Sequence, residues 1–241
     1  MESNDIRAAF HFLNSSVILN SSLFFSNTLK LPLIASSNYS DIYVVETSFD
    51  FNNAFCVVAL EFESTVKFDF NSFHNNNCAL GAGGINSTLY LINSTISNHN
   101  SEEFLIALSE AEIYISNCTF KDSTISSIAY HNIVTNFTKV MQIESVTVTN
   151  LNSKLTLFSS VNGIVSIDNL LVDKLKSEAE VVIFSQQGNG TCIISNTSLS
   201  AVQSESKVST ALSVMNTTSF TLTHFKMVQN LVCGALFENT K

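Results

Sequence analysis

One nine-residue pattern recurs along the whole sequence and constrains the fold more than any other feature. In residues 112–120 (EIYISNCTF), Ile113 and Ile115 alternate with polar residues, and the alternation resumes one residue out of phase from Cys118. Alternation with a period of two describes a strand with one buried face. The slip falls at Asn117, a residue type that tolerates the left-handed backbone of a sharp bend. The pattern therefore predicts a short strand, a corner and a second short strand.

Nine copies of this pattern align on the residue equivalent to Ile115, which we call the anchor of each coil. Successive anchor positions differ by 23 to 28 residues, and the anchors are Leu19, Val44, Phe68, Leu91, Ile115, Ile143, Ile167, Ile194 and Leu222. The residues two before and five after the anchor are apolar in every copy. A third, less regular apolar segment follows, as in residues 105–108 and 181–184. Three strands in each of about nine coils predict a triangular cross-section.

A repeat of this length, with three short strands, is typical of a right-handed parallel β-helix whose neighbouring coils pair about 4.8 Å apart. The sequence therefore predicts an all-β solenoid that forms a single domain over residues 1–241. The alternative at this period is the leucine-rich repeat. It is disfavoured because the Asn falls two rather than three residues after the second apolar position, and because no helical pattern follows.

The two ends of the predicted solenoid have no polar cap. Apolar strand residues begin at 8–10 and the chain stops just after 232–237, with no amphipathic helix or charged segment at either end. A terminal coil without a cap presents bare strand edges and an open apolar core. We therefore expect the chain to be an internal piece of a longer solenoid or to self-associate end to end.

Asn recurs at the corner, two residues after the anchor. Asn93 and Asn117 lie in adjacent coils, as do Asn169 and Asn196. Because stacked amide side chains can hydrogen-bond along the axis of a solenoid, the sequence predicts an Asn corner ladder with buried hydrogen bonds. The column five residues after the anchor is predicted to stack in the core, and it begins with Phe24, Phe49 and Phe73.

These columns resemble the pectin-lyase-like β-helix superfamily, whose coils turn at an Asn ladder. A narrower similarity is to the polymorphic outer-membrane-protein repeat, which carries Phe-x-x-Asn and Gly-Gly-Ala-aliphatic motifs. The first motif matches at 24–27 (FFSN), 49–52 (FDFN) and 73–76 (FHNN), and the second is approached at 83–85 (GGI) and 234–236 (GAL). The superfamily's enzymes cleave or isomerise polysaccharides, whereas the repeat-rich surface proteins adhere and display antigen. The resemblance thus implies a fold and leaves two kinds of function open.

Composition excludes several partners. The net charge is −9 and the only arginine is Arg7, which argues against nucleic acid, anionic membrane surfaces and acidic polysaccharides. No apolar run approaches the roughly 20 residues of a transmembrane helix, so no transmembrane segment is predicted. Residues 1–5 (MESND) do not resemble the basic start of a signal peptide. The five cysteines lack CxxC spacing, so neither a zinc site nor a disulfide framework is expected.

The resemblance to enzymes suggests where chemistry should be sought. Pectate lyases use a carboxylate cluster with calcium and an arginine base, an arrangement that Arg7 alone does not match. Inverting polygalacturonases use aspartates on one face. Here Glu144 and Asp168, each one residue after its anchor, form an outward carboxylate pair suited either to acid–base chemistry or to a solvated face. The five histidines occupy unrelated positions in their coils, so no metal or cofactor site is predicted.

Two outward features are candidates for binding. One residue before the anchor stand Tyr43, Lys67, Tyr90 and Tyr114. The last two lie one coil apart and predict a flat aromatic strip for sugar rings or a partner protein. The alternative is that aromatic residues are simply favoured on exposed strands. The sequence also has ten Asn-x-Ser/Thr sequons. Those at Asn93, Asn117 and Asn196 are expected to be inaccessible in the ladder. Five others are glycosylation candidates predicted to lie along one edge of the rod: Asn14, Asn86, Asn136, Asn189 and Asn216.

The sequence thus favours a non-enzymatic β-helix at the cell surface or outside the cell, used for display or adhesion and binding carbohydrate or protein. The alternative is a polysaccharide-active enzyme with a hydrolase-like or lyase-like activity.

Overall fold

The computed structural model describes residues 8–238 and 240, so the acidic start and Arg7 lie outside the described residues. In chain order the strands are β1 (Phe10–Leu13), β2 (Ser16–Asn20), β3 (Leu23–Phe25), β4 (Ile34–Ser37), β5 (Asp41–Val45), β6 (Ser48–Asp50), β7 (Asn53–Leu60), β8 (Thr65–Asp69), β9 (Ser72–His74), β10 (Asn77–Gly83), β11 (Thr88–Ile92) and β12 (Thr95–Ser97). They continue with β13 (Asn100–Ser109), β14 (Glu112–Ser116), β15 (Thr119–Asn132), β16 (Val140–Ser153), β17 (Phe158–Ser177), β18 (Val181–Ser195), β19 (Ser198–Ser200), β20 (Gln203–Ser204), β21 (Thr210–Met215), β22 (Ser219–Thr223), β23 (Lys226–Val228) and β24 (Cys233–Glu238).

These strands form a right-handed parallel β-helix with three faces, as predicted. The first face carries the anchors, from β2 and β5 to β22. The second face runs from β3 to β23, and the third face runs from β1 to β24. The nine predicted coils are present on the first face. The third face adds a tenth strand among the described residues, so the solenoid has about ten turns.

The predicted columns are confirmed residue by residue. On the first face Ile115 pairs with Leu91 below it and with Ile143 above it, and the other anchors pair in the same register. On the second face the Phe column stacks as expected. The rings of Phe24, Phe49 and Phe73 are nearly parallel, with centroids 4.8 and 4.9 Å apart. The alternation of apolar residues therefore sets both the strand faces and the register.

The corners explain how short strands turn sharply. All nine residues two positions after an anchor have a left-handed backbone, with φ between 47° and 55°. A second left-handed corner, which was not identified from the sequence, follows seven residues after each anchor, with φ between 49° and 55°. Its residues include Phe51 and Lys174, side chains that rarely adopt this conformation. Residue type alone therefore does not reveal the second corner.

The predicted location of the Asn ladder is wrong. Asn117 and Asn196 are exposed at the first corner, and Asn93 donates its amide to Asp69 rather than to Asn117. Single left-handed residues direct their side chains outward at this corner. The sequons at Asn117 and Asn196 are correspondingly accessible, contrary to expectation.

A buried ladder does exist, one residue after the second corner. The Nδ2 of Asn27 donates to the Oδ1 of Asn52 at 2.8 Å, and the Nδ2 of Asn52 donates to the Oδ1 of Asn76 at 3.0 Å. The backbone N–H groups of Asn27 and Asn52 donate to the same two oxygens. These three residues are the Asn of the Phe-x-x-Asn motif. The motif thus marks a ladder beneath the second corner.

The interior is a continuous apolar column filled by all three faces. Cys56, Cys78, Cys118 and Cys192 are buried free thiols, whereas Cys233 is exposed. Burial raises the pKa of Cys192 to about 12, so its thiol stays protonated. The described residues include no helix, which excludes the leucine-rich-repeat alternative. No helix that could cross a membrane occurs within them either.

Candidate functional site

The outward column of the first face brings the predicted aromatic residues together. Tyr43 is a register partner of Lys67, Lys67 of Tyr90, and Tyr90 of Tyr114. We call these four residues the tyrosine strip. The strands that carry the strip, β5, β8, β11 and β14, each pair with both neighbours, so the strip is attached to a rigid sheet. The three tyrosine side chains are half-buried.

The tyrosines are not arranged as a flat platform. The rings of Tyr90 and Tyr114 are stacked, with centroids 4.8 Å apart and an interplanar angle of 11°. Rings lying side by side in one plane would overlap at this separation, so each ring covers one face of the other. The strip therefore presents ring edges and hydroxyl groups to solvent. The Tyr114 hydroxyl donates to Glu112 at 3.1 Å, and burial together with this carboxylate raises the pKa of Tyr114 to about 12.

A polar cluster orders the other half of the strip. The Tyr43 hydroxyl donates to Asp69 Oδ2 at 3.0 Å, the Lys67 ammonium lies 3.4 Å from the same oxygen, and Asn93 donates to Asp69 Oδ1 at 2.8 Å. The Lys67 ammonium also lies 4.9 Å from the centre of the Tyr43 ring. Asp69 is only 8% exposed. Burial acts to raise the pKa of Asp69, but the hydrogen bonds from Asn93, Tyr43 and Lys67 together lower it.

Asp69 was not identified from the sequence, although it occupies the column one residue after the anchor, the same column as Glu144 and Asp168. Its neighbours in that column, Val45 and Ile92, are apolar. Asp69 therefore has no carboxylate at the same position of the adjacent coils, unlike Glu144 and Asp168, and its position alone does not indicate its role. Its role depends on three side chains from three different coils.

The tyrosine strip is bordered by a shallow depression of about 270 Å³. The depression lies between two outward columns of β2, β5 and β8, and its lining includes Ile18, Asp41, Tyr43, Thr65 and Lys67. Ile18 is 69% exposed, which makes it an apolar wall at the end of the strip.

The structure places Glu144 and Asp168 side by side, as predicted, because they are register partners in adjacent coils. Asp168 Oδ1 accepts hydrogen bonds from Ser195 Oγ at 2.6 Å and from Asn196 Nδ2 at 2.8 Å. These bonds lower the pKa of Asp168. A general acid needs a raised pKa, so the lowered pKa makes Asp168 unsuited to donate a proton. Glu144 is exposed and accepts a 3.3 Å bond from Gln142.

Metal-ligating and histidine residues are scattered. The described residues contain no cluster of three or more His, Cys, Asp or Glu side chains that could hold a metal ion. Of the histidines, His99 and His131 are buried in the core. Each forms a hydrogen bond through Nε2 to a carbonyl oxygen, of Cys78 in one case and of Ala111 in the other.

The five candidate glycosylation sites are all exposed, and each lies just before the first-face segment of its coil, which for Asn189 is the last part of β18: Asn14, Asn86, Asn136, Asn189 and Asn216. Asn136 Oδ1 accepts a hydrogen bond from Thr138 Oγ1 at 2.6 Å within its own sequon. Whether these sites carry glycans stays a prediction.

A second aromatic pair lies on the third face and was not identified from the sequence. Phe104 and Tyr130 are stacked with ring centroids 4.9 Å apart, beside a depression of about 420 Å³. The two residues are not register partners, because Phe104 pairs with Ser127 and Tyr130 pairs with Ala107. The repeat pattern therefore could not align them.

No protein-family model and no curated protein sequence matches the chain. Among solved structures, the chain is similar to the Streptococcus pneumoniae surface protein and adhesin PfbA (9% identity, TM-score 0.32, covering 96% of this chain and 90% of that one). It is also similar to the catalytic unit of a thermostable GH87 alpha-1,3-glucanase from Streptomyces thermodiastaticus (9% identity, TM-score 0.20, covering 86% of this chain and 62% of that one). A third similar structure is the tailspike receptor binding domain of siphovirus 9NA (6% identity, TM-score 0.20, covering 93% of this chain and 72% of that one). The strand pairings of the chain itself define its fold, a right-handed parallel β-helix.

Proposed function

We propose that this chain is a non-enzymatic binding solenoid of an extracellular or cell-surface protein, used for adhesion or display. Its ligand, carbohydrate or protein, binds the first face at the tyrosine strip. The observation that carries the proposal is the ordering of this strip, whose side chains are held by mutual stacking and by Asp69. A surface whose side chains are already ordered loses little conformational entropy when a ligand binds.

The tyrosine strip has the composition of a recognition surface. Tyr combines a large apolar ring with a polar hydroxyl and is enriched at binding interfaces. Three tyrosines and a lysine on one rigid column, with hydroxyl groups directed at solvent or at carboxylates, supply both apolar contact and hydrogen bonds. Binding residues positioned by a rigid scaffold are a common arrangement.

The second candidate is a polysaccharide-active enzyme that uses Glu144 and Asp168. Their adjacency favours this candidate, but the lowered pKa of Asp168 makes Asp168 unsuited to act as the general acid of the pair. If the pair were catalytic, Asp168→Asn would abolish release of reducing ends from neutral and acidic glycans. We expect no such release from the unmodified chain.

The exposed sequons support an extracellular location. All five candidates are accessible, and they recur at the approach to the first face in coils spread along the rod. In secretory expression we propose that glycans attach at these positions. Peptide mapping by mass spectrometry tests the assignment site by site.

The test of the binding surface is the double variant Tyr90→Ser/Tyr114→Ser. We expect loss of binding to glycan and protein arrays, because the strip loses both rings. The melting temperature should change little, since a stacked aromatic pair contributes only about 0.5–1.5 kcal/mol beyond its burial.

Tyr130→Ser is the matched control for this experiment. Tyr130 is also half-buried and stacked on an aromatic ring, but it lies on the third face. Binding should survive in this variant. Unchanged binding in the double variant would refute the proposed surface, and a large loss of stability would place the tyrosines in packing instead.

A further inference from the structure

Two parallel outward columns of the first face enclose a groove. One column contains Ser16, Asp41 and Thr65, and the other contains Ile18, Tyr43 and Lys67; the two are in register across β2, β5 and β8. Residues two apart in a strand are separated by about 6.6 Å, and neighbouring coils by about 4.8 Å. The depression of about 270 Å³ lies between these columns.

The same two columns continue into the next coils. Thr88 and Glu112 extend the first column, and Tyr90 and Tyr114 extend the second. We call the channel between the columns the first-face groove. The depression occupies the three coils of β2, β5 and β8, and in the fifth coil the hydrogen bond from the Tyr114 hydroxyl to Glu112 bridges the two columns. A linear ligand that starts in the depression and continues parallel to the axis, over roughly 19 Å for five coils, would contact the whole tyrosine strip.

The lining of the depression combines apolar and polar groups in a way that suits a sugar. Ile18 and the Tyr43 ring provide apolar walls, while the Asp41 carboxylate and the Thr65 hydroxyl lie on the opposite side. Small-molecule sites are mostly apolar with a few placed polar groups. A sugar ring has an apolar face and hydroxyl groups around its edge, and a carboxylate accepts strong hydrogen bonds from such hydroxyls.

The charges favour a neutral ligand. Lys67 is neutralised by Asp69 at 3.4 Å and lies over the Tyr43 ring. Asp41 and Glu112, on the other side of the groove, have no lysine or arginine as a register partner in the described strands. Bringing an anionic chain along these carboxylates would be repulsive. Polymers of uronic acids or sulfated sugars are therefore poor ligands.

The backbone disfavours an extended peptide. Peptides that bind sheets usually add a strand to a free edge and use its main-chain groups. The strands beneath the groove pair on both sides, β5 with β2 and β8, and β8 with β5 and β11. A peptide in the groove would therefore need side-chain partners for its own backbone groups. Sugar hydroxyls do not have this regular requirement.

From these observations we propose that the first-face groove binds a linear chain of neutral sugars, with one sugar residue seated in the depression between Asp41 and Tyr43. The inference rests on the proposed function and specifies the ligand class of the same surface. The Asp41 carboxylate accepts hydrogen bonds from the seated sugar, and the Thr65 hydroxyl donates to it or accepts from it. The strip from Lys67 to Tyr114 contacts the sugar residues that follow.

The experiment is titration calorimetry of the full chain with short linear oligosaccharides of neutral hexoses, in several linkages. Parallel titrations use oligogalacturonate and an uncharged extended peptide. We expect at least one neutral oligosaccharide to bind, and oligogalacturonate and the peptide not to bind detectably. Asp41→Asn and Thr65→Val should each weaken binding by about tenfold, as loss of one good hydrogen bond predicts.

Asp122→Asn, at an exposed second-corner position, is the matched control and should bind like the unmodified chain. If binding depends on Tyr90 and Tyr114 but not on Asp41 and Thr65, the proposed position of a sugar in the depression is wrong, while the proposed function stands. Tighter binding of oligogalacturonate or the peptide would overturn the ligand class. If no neutral oligosaccharide binds but a protein ligand binds through the tyrosines, the glycan inference fails alone. If nothing binds, both proposals fail.

Discussion

At the scale of the residue, the left-handed corner positions and the buried Asn ladder are two separate structural features. The repeat pattern in the sequence does not distinguish them. The first-corner residues supply a backbone conformation, and their side chains are directed outward. The Asn residues of the buried ladder supply hydrogen bonds instead, and Asn52 is only 1% exposed. Because Asn suits both a left-handed corner and a buried hydrogen-bonded position, its presence in the sequence does not show which of the two it occupies.

This distinction predicts different substitution behaviour. Asn52→Ala should lower the free energy of unfolding by about 3 kcal/mol, because it removes bonds to Phe24, Asn27 and Asn76 and leaves buried groups unpaired. Asn117→Ala should cost about 1 kcal/mol through its left-handed backbone alone. Chemical denaturation of each variant measures both values.

Glycine variants provide the control. Asn117→Gly should recover the stability lost in Asn117→Ala, since glycine adopts positive φ without penalty. Asn52→Gly should remain as unstable as Asn52→Ala. Equal losses for the two alanine variants would contradict the separation of corner and ladder.

At the scale of the element, the column one residue after the second corner changes character along the rod. It reads Asn27, Asn52 and Asn76, then His99 and Ser123, and then the apolar residues Leu151, Leu175 and Val202, before Asn230 near the end. The His99 ring is buried, and its Nδ1 has no hydrogen-bond partner among the described residues. Burial lowers the pKa of His99 to about 4.

The lowered pKa predicts a pH-dependent stability. Below the ordinary pKa of about 6.5, the unfolded chain binds a proton at His99 that the folded chain excludes until about pH 4. The free energy of unfolding should therefore be highest above pH 6.5 and fall by about 3 kcal/mol as the pH drops to 4. Urea denaturation across this range measures the slope.

The variant His99→Asn continues the ladder with a group that does not titrate. We expect it to flatten most of the slope, with a remainder from His131, whose pKa burial also lowers. His224→Asn changes an exposed first-corner residue and should leave the slope unchanged. An unaltered slope in His99→Asn would rule out His99 as its source.

At the scale of the whole molecule, the chain is a rod whose lateral surfaces differ from its ends. The described last strand, β24, is exposed along its length, with Leu236 48% and Phe237 43% exposed. Exposed strand edges and apolar residues favour pairing with another solenoid end. End-to-end association of the chain through this edge stays a prediction.

Sedimentation velocity over a concentration series tests the association of the isolated chain. We expect the weight-average sedimentation coefficient to rise with concentration. Phe237→Lys should suppress the rise, because it places a charge on the exposed edge, whereas Ser185→Lys on the third face should not. A strictly monomeric, well-folded chain at high concentration would contradict the end-to-end prediction.

The repeat makes the fold and its register predictable from the sequence. Each coil presents the same few apolar columns, so nine weak signals add up, and the repeat alone aligns Leu91, Ile115 and Ile143 in the register that their strands adopt. The adjacency of Tyr90 to Tyr114 and of Glu144 to Asp168 follows from the same alignment, since neighbouring coils in a parallel β-helix pair residue to residue.

The contacts between side chains are decided only by the tertiary structure. Alignment places two tyrosines one coil apart, but ring stacking, which hides one face of each ring, depends on side-chain rotation. Asp69 gains its role from Tyr43, Lys67 and Asn93, which belong to three different coils. A repeat specifies which backbone positions are neighbours. The directions of the corner side chains are set only when the coils are stacked. The same holds for the hydrogen bonds that lower the pKa of a carboxylate.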